Sequence, residues 1–226
     1  MDFDIKKDAH WVYGMQNRQS CETKNKKGII YTAMTKIAMK IAFDVHKNQS
    51  DKSGMPYILH PLHVAERVQG ETAVCAALLH DVVEDSDCTF DMLLDSGISG
   101  EVTDVLKLLT HEPSVPYMDY IRGVKESGNQ TAIEVKLADL EHNSDLTRLE
   151  NIDSKSIERF LKYMDAMAIL NESYSVINKE KIILGKALQA LLDLGATDKV
   201  KEIVDIMADG ETRIVNKDKE DSSQNA

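Results

Sequence analysis

Between Ile29 and His46 the apolar residues Ile30, Ala33, Met34, Ile37, Ala38, Ile41 and Val45 return every three or four positions, which predicts a helix with one buried face. Lys47 to Pro56 is polar and rich in turn formers, the kind of loop that carries binding residues. Tyr57 to Ala65 predicts a short helix with Pro61 at its first position. Ala73 to Leu79 is apolar all round, as in a helix running through a core, and the pattern continues as helix to Asp85. Further helices are predicted through Met92, Leu93 and Leu94 up to Gly97, from Glu101 to Thr110, from about Tyr117, from Thr131 to Asn143, and from Ser154 to Tyr174. Lys179–Leu194 and Ala196–Met207 read as a helical hairpin broken at Gly195. No strand alternation and no internal repeat stand out, so the fold class is all-α. The expected organisation is an N-terminal extension (1–28), a helical domain (29–175), a C-terminal hairpin packed on it (176–212) and a disordered tail (213–226).

Charge narrows the possible partners. A net charge of −11 over 226 residues argues against a broad nucleic-acid or anionic-membrane footprint, while leaving room for a small anionic ligand met by local bases. Three cysteines, Cys21, Cys75 and Cys88, make neither a disulfide framework nor a CxxC motif. No run is long enough to span a membrane and the first residues lack a signal peptide's apolar core, so a cytoplasmic setting is expected. The oligomeric state is not legible.

Candidate chemistry gathers where the apolar run ends. In helical register His80, Asp81, Glu84 and Asp85 fall within an arc of about 140°, and such a cluster is costly to desolvate without a cation or hydrogen bonds. His60, before Pro61, is favoured over His63 as their partner. Lys136, Asp139 and Asn143 form one stripe on the Thr131–Asn143 helix, where Asp139 reads equally as a cation ligand or as the partner of Lys136. His111 and Glu112, beside Pro113, read as loop residues.

The pattern His60, then His80-Asp81, then Asp139 resembles the HD-domain metal-dependent phosphohydrolases. Within them, Ser53-Gly54-Met55-Pro56-Tyr57-Ile58-Leu59-His60-Pro61 after His46, then Ala77 to Asp85, then Val135 to Asn143, are similar to the hydrolase domain of the RelA/SpoT alarmone enzymes. The resemblance spans about residues 29–175 and implies an HD-domain helical bundle that removes the 3′-pyrophosphate of (p)ppGpp-type alarmones with Mn²⁺. It implies that His60, His80, Asp81 and Asp139 hold the metal, with Fe²⁺ or Zn²⁺ as alternatives, and that Glu84 and Asp85 are the catalytic acids. Lys52, Ser53, Lys136, Asn143 and Arg148 are the expected nucleotide contacts. The family's synthetase domain is not expected here, which suggests a stand-alone hydrolase.

Asp51 stands where the resembled family sets a substrate-contacting arginine. Lys52 then takes over, with Arg148, Arg159, Lys162 and Tyr163 supplying positive charge from downstream. Otherwise the metal site serves another reaction, such as that of a nucleotidase or a 2′- or 3′-phosphatase. A non-catalytic nucleotide-binding or partner-binding module is the third reading, and it leaves Glu84 and Asp85 without a purpose.

Overall fold

The structure, a computed structural model, describes residues 28–208, apart from the side chains of 175–177. The expected N-terminal extension up to residue 27, Cys21 within it, and the expected tail from 213 lie outside the described residues. Within them the chain is helical, and its extended pairing is a single bridge between Ser50 and Pro56.

The helices are α1 (Ala33–His46), α2 (Leu59–Ala65), α3 (Glu71–Leu79), α4 (Phe90–Asp95), α5 (Gly100–Leu109), α6 (Tyr117–Glu126), α7 (Gln130–Asn143), α8 (Ser154–Leu170) and α9 (Ser173–Asp193). A last helix, α10, covers 197–208, and a 3₁₀ turn spans Leu146–Arg148. The starts follow local chemistry, because a short polar side chain satisfies N–H groups that the first turn leaves free. Thr32 and Thr35 form a reciprocal capping box at α1. Thr89, Ser99, Asn129 and Asp153 cap α4, α5, α7 and α8. Among the ends that use a glycine in the left-handed region, Gly97 (φ 96°) follows α4 and Gly195 (φ 75°) follows α9. At each, the next residue's N–H bonds back to the carbonyl five residues earlier, Ile98 to Leu93 and Ala196 to Leu191.

α3 is the axis of the bundle. Every residue from Ala73 to Leu79 is buried, with α1, α2, α5 and α7 packed around it. α7 in turn contacts α2, α3 and α8, and α9 packs along α8. The site residues therefore project from the most constrained elements of the fold.

The first helix starts at Ala33 and not at Ile29, and further boundaries differ from the sequence reading. The central helix stops at Leu79, and residues 80–84 form turns in which the Val82 N–H reaches Leu79 O and the Asp85 N–H reaches Asp81 O. The 140° arc of a continuous helix is thus replaced by a tighter corner. Pro61 occupies the third position of α2, still within the first turn, where its missing N–H costs nothing. α8 ends at Leu170 because Asn171 turns out of helix (φ −144°) and accepts the Ser173 N–H on its side chain. α9 accordingly begins at Ser173 and runs without interruption across the expected boundary at 175–176.

Candidate functional site

Three elements supply the centre. α2 carries His60, the corner after α3 carries His80 and Asp81, and α7 carries Asp139. His60 Nε2 lies 3.2 Å from His80 Nε2, 3.5 Å from Asp81 Oδ2 and 3.3 Å from Asp139 Oδ1. His80 Nε2 lies 3.1 Å from Asp81 Oδ2 and 3.6 Å from Asp139 Oδ1. Ligand atoms placed about 2.1 Å from a shared cation stand about 3.0–3.5 Å from each other, so these separations are the edges of a coordination shell. His60, His80 and Asp139 are buried, and Asp81 is one-fifth exposed. The four residues named from the sequence thus lie together in the fold.

The ring hydrogen bonds support the same reading. His80 Nδ1 lies 2.7 Å from Ala77 O, a partner that only accepts, so Nδ1 carries the hydrogen and Nε2 faces the centre. Burial works against a charged ring at His60 and His80, but the Asp81 and Asp139 carboxylates overturn it and hold both rings above the ordinary histidine range. Burial also opposes charge on Asp81 and Asp139. His80 outweighs it at Asp81, and Lys136 at Asp139, so both carboxyls lie well below the carboxylate range. His60, His80 and Asp81 offer ligand atoms close enough to share one ion, Asp139 lies beside both rings, and this mixed imidazole and carboxylate set suits a divalent cation.

The surroundings hold the ligands in place. The Tyr57 hydroxyl donates to Asp81 Oδ2 at 2.6 Å, and burial followed by the charge of Asp81 pushes its pKa far up, so it remains a donor. Lys136 Nζ donates to Asp139 Oδ2 at 2.9 Å and Asn143 Nδ2 to Asp139 Oδ1 at 2.5 Å. The Lys136–Asp139 salt bridge is thus present on one carboxylate oxygen, and the other oxygen faces His60 and His80. His142, one turn beyond Asp139, places Nδ1 2.7 Å from His60 Nδ1. Burial, then the charges of His60 and Arg148, pushes His142 down to about 3. Tyr57 and His142 were not singled out from the sequence, although Tyr57 sits three residues before His60 and His142 three after Asp139, both on a ligand's own face. His63 lies outside the cluster, its ring tilted 47° against that of His142 with 4.4 Å between ring centres.

Glu84 and Asp85 are exposed at the rim. The His111 N–H donates to Glu84 Oε1 at 2.5 Å, so the loop expected around His111 supports a site residue through its backbone. Burial, then the negative charge of Asp81, raises both Glu84 and Asp85 above their usual range, although the His111 bond pulls Glu84 partly back.

Beside the centre opens a cavity of about 350 Å³, reached by His60, Tyr57, Asn143, Arg148 and the 50–53 loop. Lys52 and Arg159 line it, and the Lys52 pKa is lowered first by burial and then by the charges of Arg159 and Lys162, so three cations lie near one another on this side. Lys162 Nζ stands 4.4 Å from the Tyr117 ring centre and 5.2 Å from that of Tyr163. Of the expected nucleotide contacts, Lys52, Ser53, Asn143 and Arg148 line this cavity, whereas Lys136 does not. Ser53 turns inward, its hydroxyl and N–H both donating to Asp51 Oδ1. Asp51 does not present a bare charge to the cavity, since Arg148 Nη2 meets its Oδ2 at 2.5 Å.

No family model matches the chain. It is similar to the guanosine-3′,5′-bis(diphosphate) 3′-pyrophosphohydrolase MESH1 of Danio rerio, 36% identical over 129 residues covering 52% of this chain and 71% of that protein. The Xenopus tropicalis MESH1 is 37% identical over 117 residues, 47% of this chain and 65% of its own length. A Vibrio cholerae guanosine-3′,5′-bis(diphosphate) 3′-pyrophosphohydrolase is 43% identical over 76 residues, 30% of this chain and 11% of that much longer protein. A solved structure described as a metazoan ortholog of SpoT that hydrolyses ppGpp superposes with a TM-score of 0.53 at 22% identity, covering 68% of this chain and 98% of that one, which shows the shared all-helical fold. No helix among the described residues is long and apolar enough to cross a membrane. The identity held across more than two-thirds of the Danio rerio protein shows that this chain belongs to the MESH1 family of guanosine-3′,5′-bis(diphosphate) 3′-pyrophosphohydrolases.

Proposed function

We propose that the protein is a Mn²⁺-dependent hydrolase of guanosine 3′,5′-bis(diphosphate)-type alarmones, acting in the cytoplasm on a small nucleotide and releasing pyrophosphate from the 3′ position. The observation that carries this is the convergence of two Nε2 atoms, 3.2 Å apart, each 3.1–3.6 Å from an oxygen of Asp81 and an oxygen of Asp139, beside a cavity lined by Lys52 and Arg159. Mn²⁺ accepts this mixed imidazole and carboxylate set, and when bound it supplies Lewis acidity to a phosphoryl oxygen and to water.

The chain's own residues do the rest. Lys52, Arg159 and Lys162 bind the phosphates, and the Tyr163 ring beside Lys162 borders the nucleotide. Glu84, fixed by the His111 N–H, takes the proton from the attacking water. As the new P–O bond forms and the bond from phosphorus to the ribose 3′ oxygen breaks, that oxygen takes a proton from Asp85, which burial and the charge of Asp81 shift toward the protonated form. Asn143 and Lys136 keep Asp139 aimed at the centre.

The alternative nucleotide phosphohydrolase drew its support from an unpaired negative charge at Asp51. The Arg148 ion pair removes that support. The test is hydrolysis of guanosine tetraphosphate with added Mn²⁺, read as GDP and pyrophosphate and compared with other phosphorylated nucleotides. The alarmone is expected to be cleaved fastest, and indifference to it alongside cleavage of another nucleotide would refute the proposal.

A further inference from the structure

The 50–56 loop and the candidate metal centre are joined by four side chains in series. Asp51 Oδ1 accepts the Ser53 N–H (2.9 Å), the Ser53 hydroxyl (2.6 Å) and the Met55 N–H (3.0 Å), which closes the loop on itself. Its other oxygen takes Arg148 Nη2 at 2.5 Å. Arg148 Nη1 then lies 2.9 Å from His142 Nδ1 and 3.0 Å from His142 O, and His142 Nδ1 lies 2.7 Å from His60 Nδ1.

The order of donors in this series is forced by chemistry. A guanidinium has only hydrogens to give, so His142 Nδ1 must carry a lone pair. His60 Nδ1 faces that same lone pair and must therefore be the donor. An imidazole that spends its hydrogen at Nδ1 keeps its lone pair at Nε2, and His60 Nε2 is the atom facing His80, Asp81 and Asp139. We infer that Arg148, held in place by Asp51, is a positioning residue that sets the tautomers of His142 and His60 and so aims the His60 Nε2 lone pair at the metal. The inference rests on the metal-hydrolase reading of the site. It gives Asp51 a purpose that its departure from the resembled family leaves unexplained: the acid fixes a histidine ligand through Arg148, and nucleotide contact passes to the neighbouring bases.

The experiment measures metal, not turnover. Chelator-stripped full-length protein is titrated with Mn²⁺ followed by electron paramagnetic resonance of the free ion, and folding of each variant is checked by circular dichroism. Partners that orient a metal-bound histidine are worth about 10–100-fold in affinity, so Arg148→Met should weaken Mn²⁺ by that factor. Arg148→Lys, which still only donates, should stay within a few-fold of wild type. The double exchange Asp51→Arg with Arg148→Asp restores an ion pair but sets an acceptor against His142, and it should bind as weakly as Arg148→Met. Wild-type affinity in Arg148→Met, or full recovery in the double exchange, would overturn the inference, since a residue that merely pins the loop predicts recovery. Long-range ¹H–¹⁵N correlation of the wild-type imidazoles tests it without a variant: His142 is expected as the Nε2–H form, and an Nδ1–H pattern overturns it. Absence of metal binding by the wild type would instead refute the metal-hydrolase reading, and metal binding without alarmone cleavage would refute only the substrate.

Discussion

Asp139 and Glu84 are both carboxylates near one centre, and their surroundings give them opposite tasks. Asp139 is buried with Lys136 and Asn143 on its two oxygens, so it stays ionised and fixed. Glu84 is exposed, holds one backbone N–H and has a raised pKa, as suits a group that exchanges protons. Glu84→Gln is therefore expected to cut turnover by about 10²–10⁴-fold while Mn²⁺ stoichiometry is retained, checked by steady-state rates beside metal analysis. An unchanged rate would remove Glu84 from the mechanism. Asp51 supports a prediction in pH. Burial alone would raise its carboxyl, but the Ser53 and Met55 bonds and the Arg148 charge together hold it below the usual range. A depressed carboxyl adds stability that is complete above the ordinary value of about 4 and is lost as pH falls through the folded one. The melting temperature of wild type should exceed that of Asp51→Asn by a constant margin near neutrality, and the two curves should close below about pH 4. A gap that widens in acid contradicts the pairing.

At the level of elements, ends written in local chemistry were legible, and ends decided by packing were not. Ser99, Asn129 and Asp153 each mark a helix start by a side chain that accepts its own first-turn N–H, a signal two to three residues long, whereas at α1 the apolar pattern began at Ile29, ahead of the Thr32 cap. The stop after Leu79 has no such signal. Nothing in Leu78 to Asp85 forbids helix, and the chain turns there because His80 and Asp81 converge on His60 and Asp139, contacts 20 to 59 residues away in sequence. Gly185 is a second case, since from sequence it reads only as a weak point in α9. In the fold a β-carbon there would stand 2.8 Å from Leu161 and 2.9 Å from the Phe160 ring, so the glycine allows α9 to lie against α8. Gly185→Leu gains helix propensity of up to about 1 kcal/mol but forces that contact apart at about 1–3 kcal/mol. A lowered melting temperature is expected, and a raised one would mean that α9 rests on α8 more loosely than its packing indicates.

For the molecule as a whole, the apolar pattern conveyed the bundle because it repeats within a few turns of chain, and the family resemblance named the four residues that meet at the centre. What escaped was the joining of distant pieces, such as Asp51 to Arg148 across 97 residues and His60 to His142 across 82, where each residue alone resembles ordinary surface or core. These contacts show how the centre is tied to stability. Its ligands come from α2, the end of α3 and α7, three elements that pack on one another, so a bound cation links the bundle's middle through charges otherwise held close together in a buried space. An ion that binds the folded chain and not the unfolded one stabilises it by RT ln(1 + [L]/Kd), about 4 kcal/mol at a thousandfold excess over Kd. Adding Mn²⁺ to chelator-stripped protein should therefore raise the melting temperature by several degrees, increasing with the logarithm of concentration above Kd. Asp81→Ala removes one ligand and should abolish the increment, while Glu84→Gln, outside the four ligands, should keep it. If Asp81→Ala gained the same increment as wild type, the cation would be binding elsewhere and the four-residue centre would not be its site.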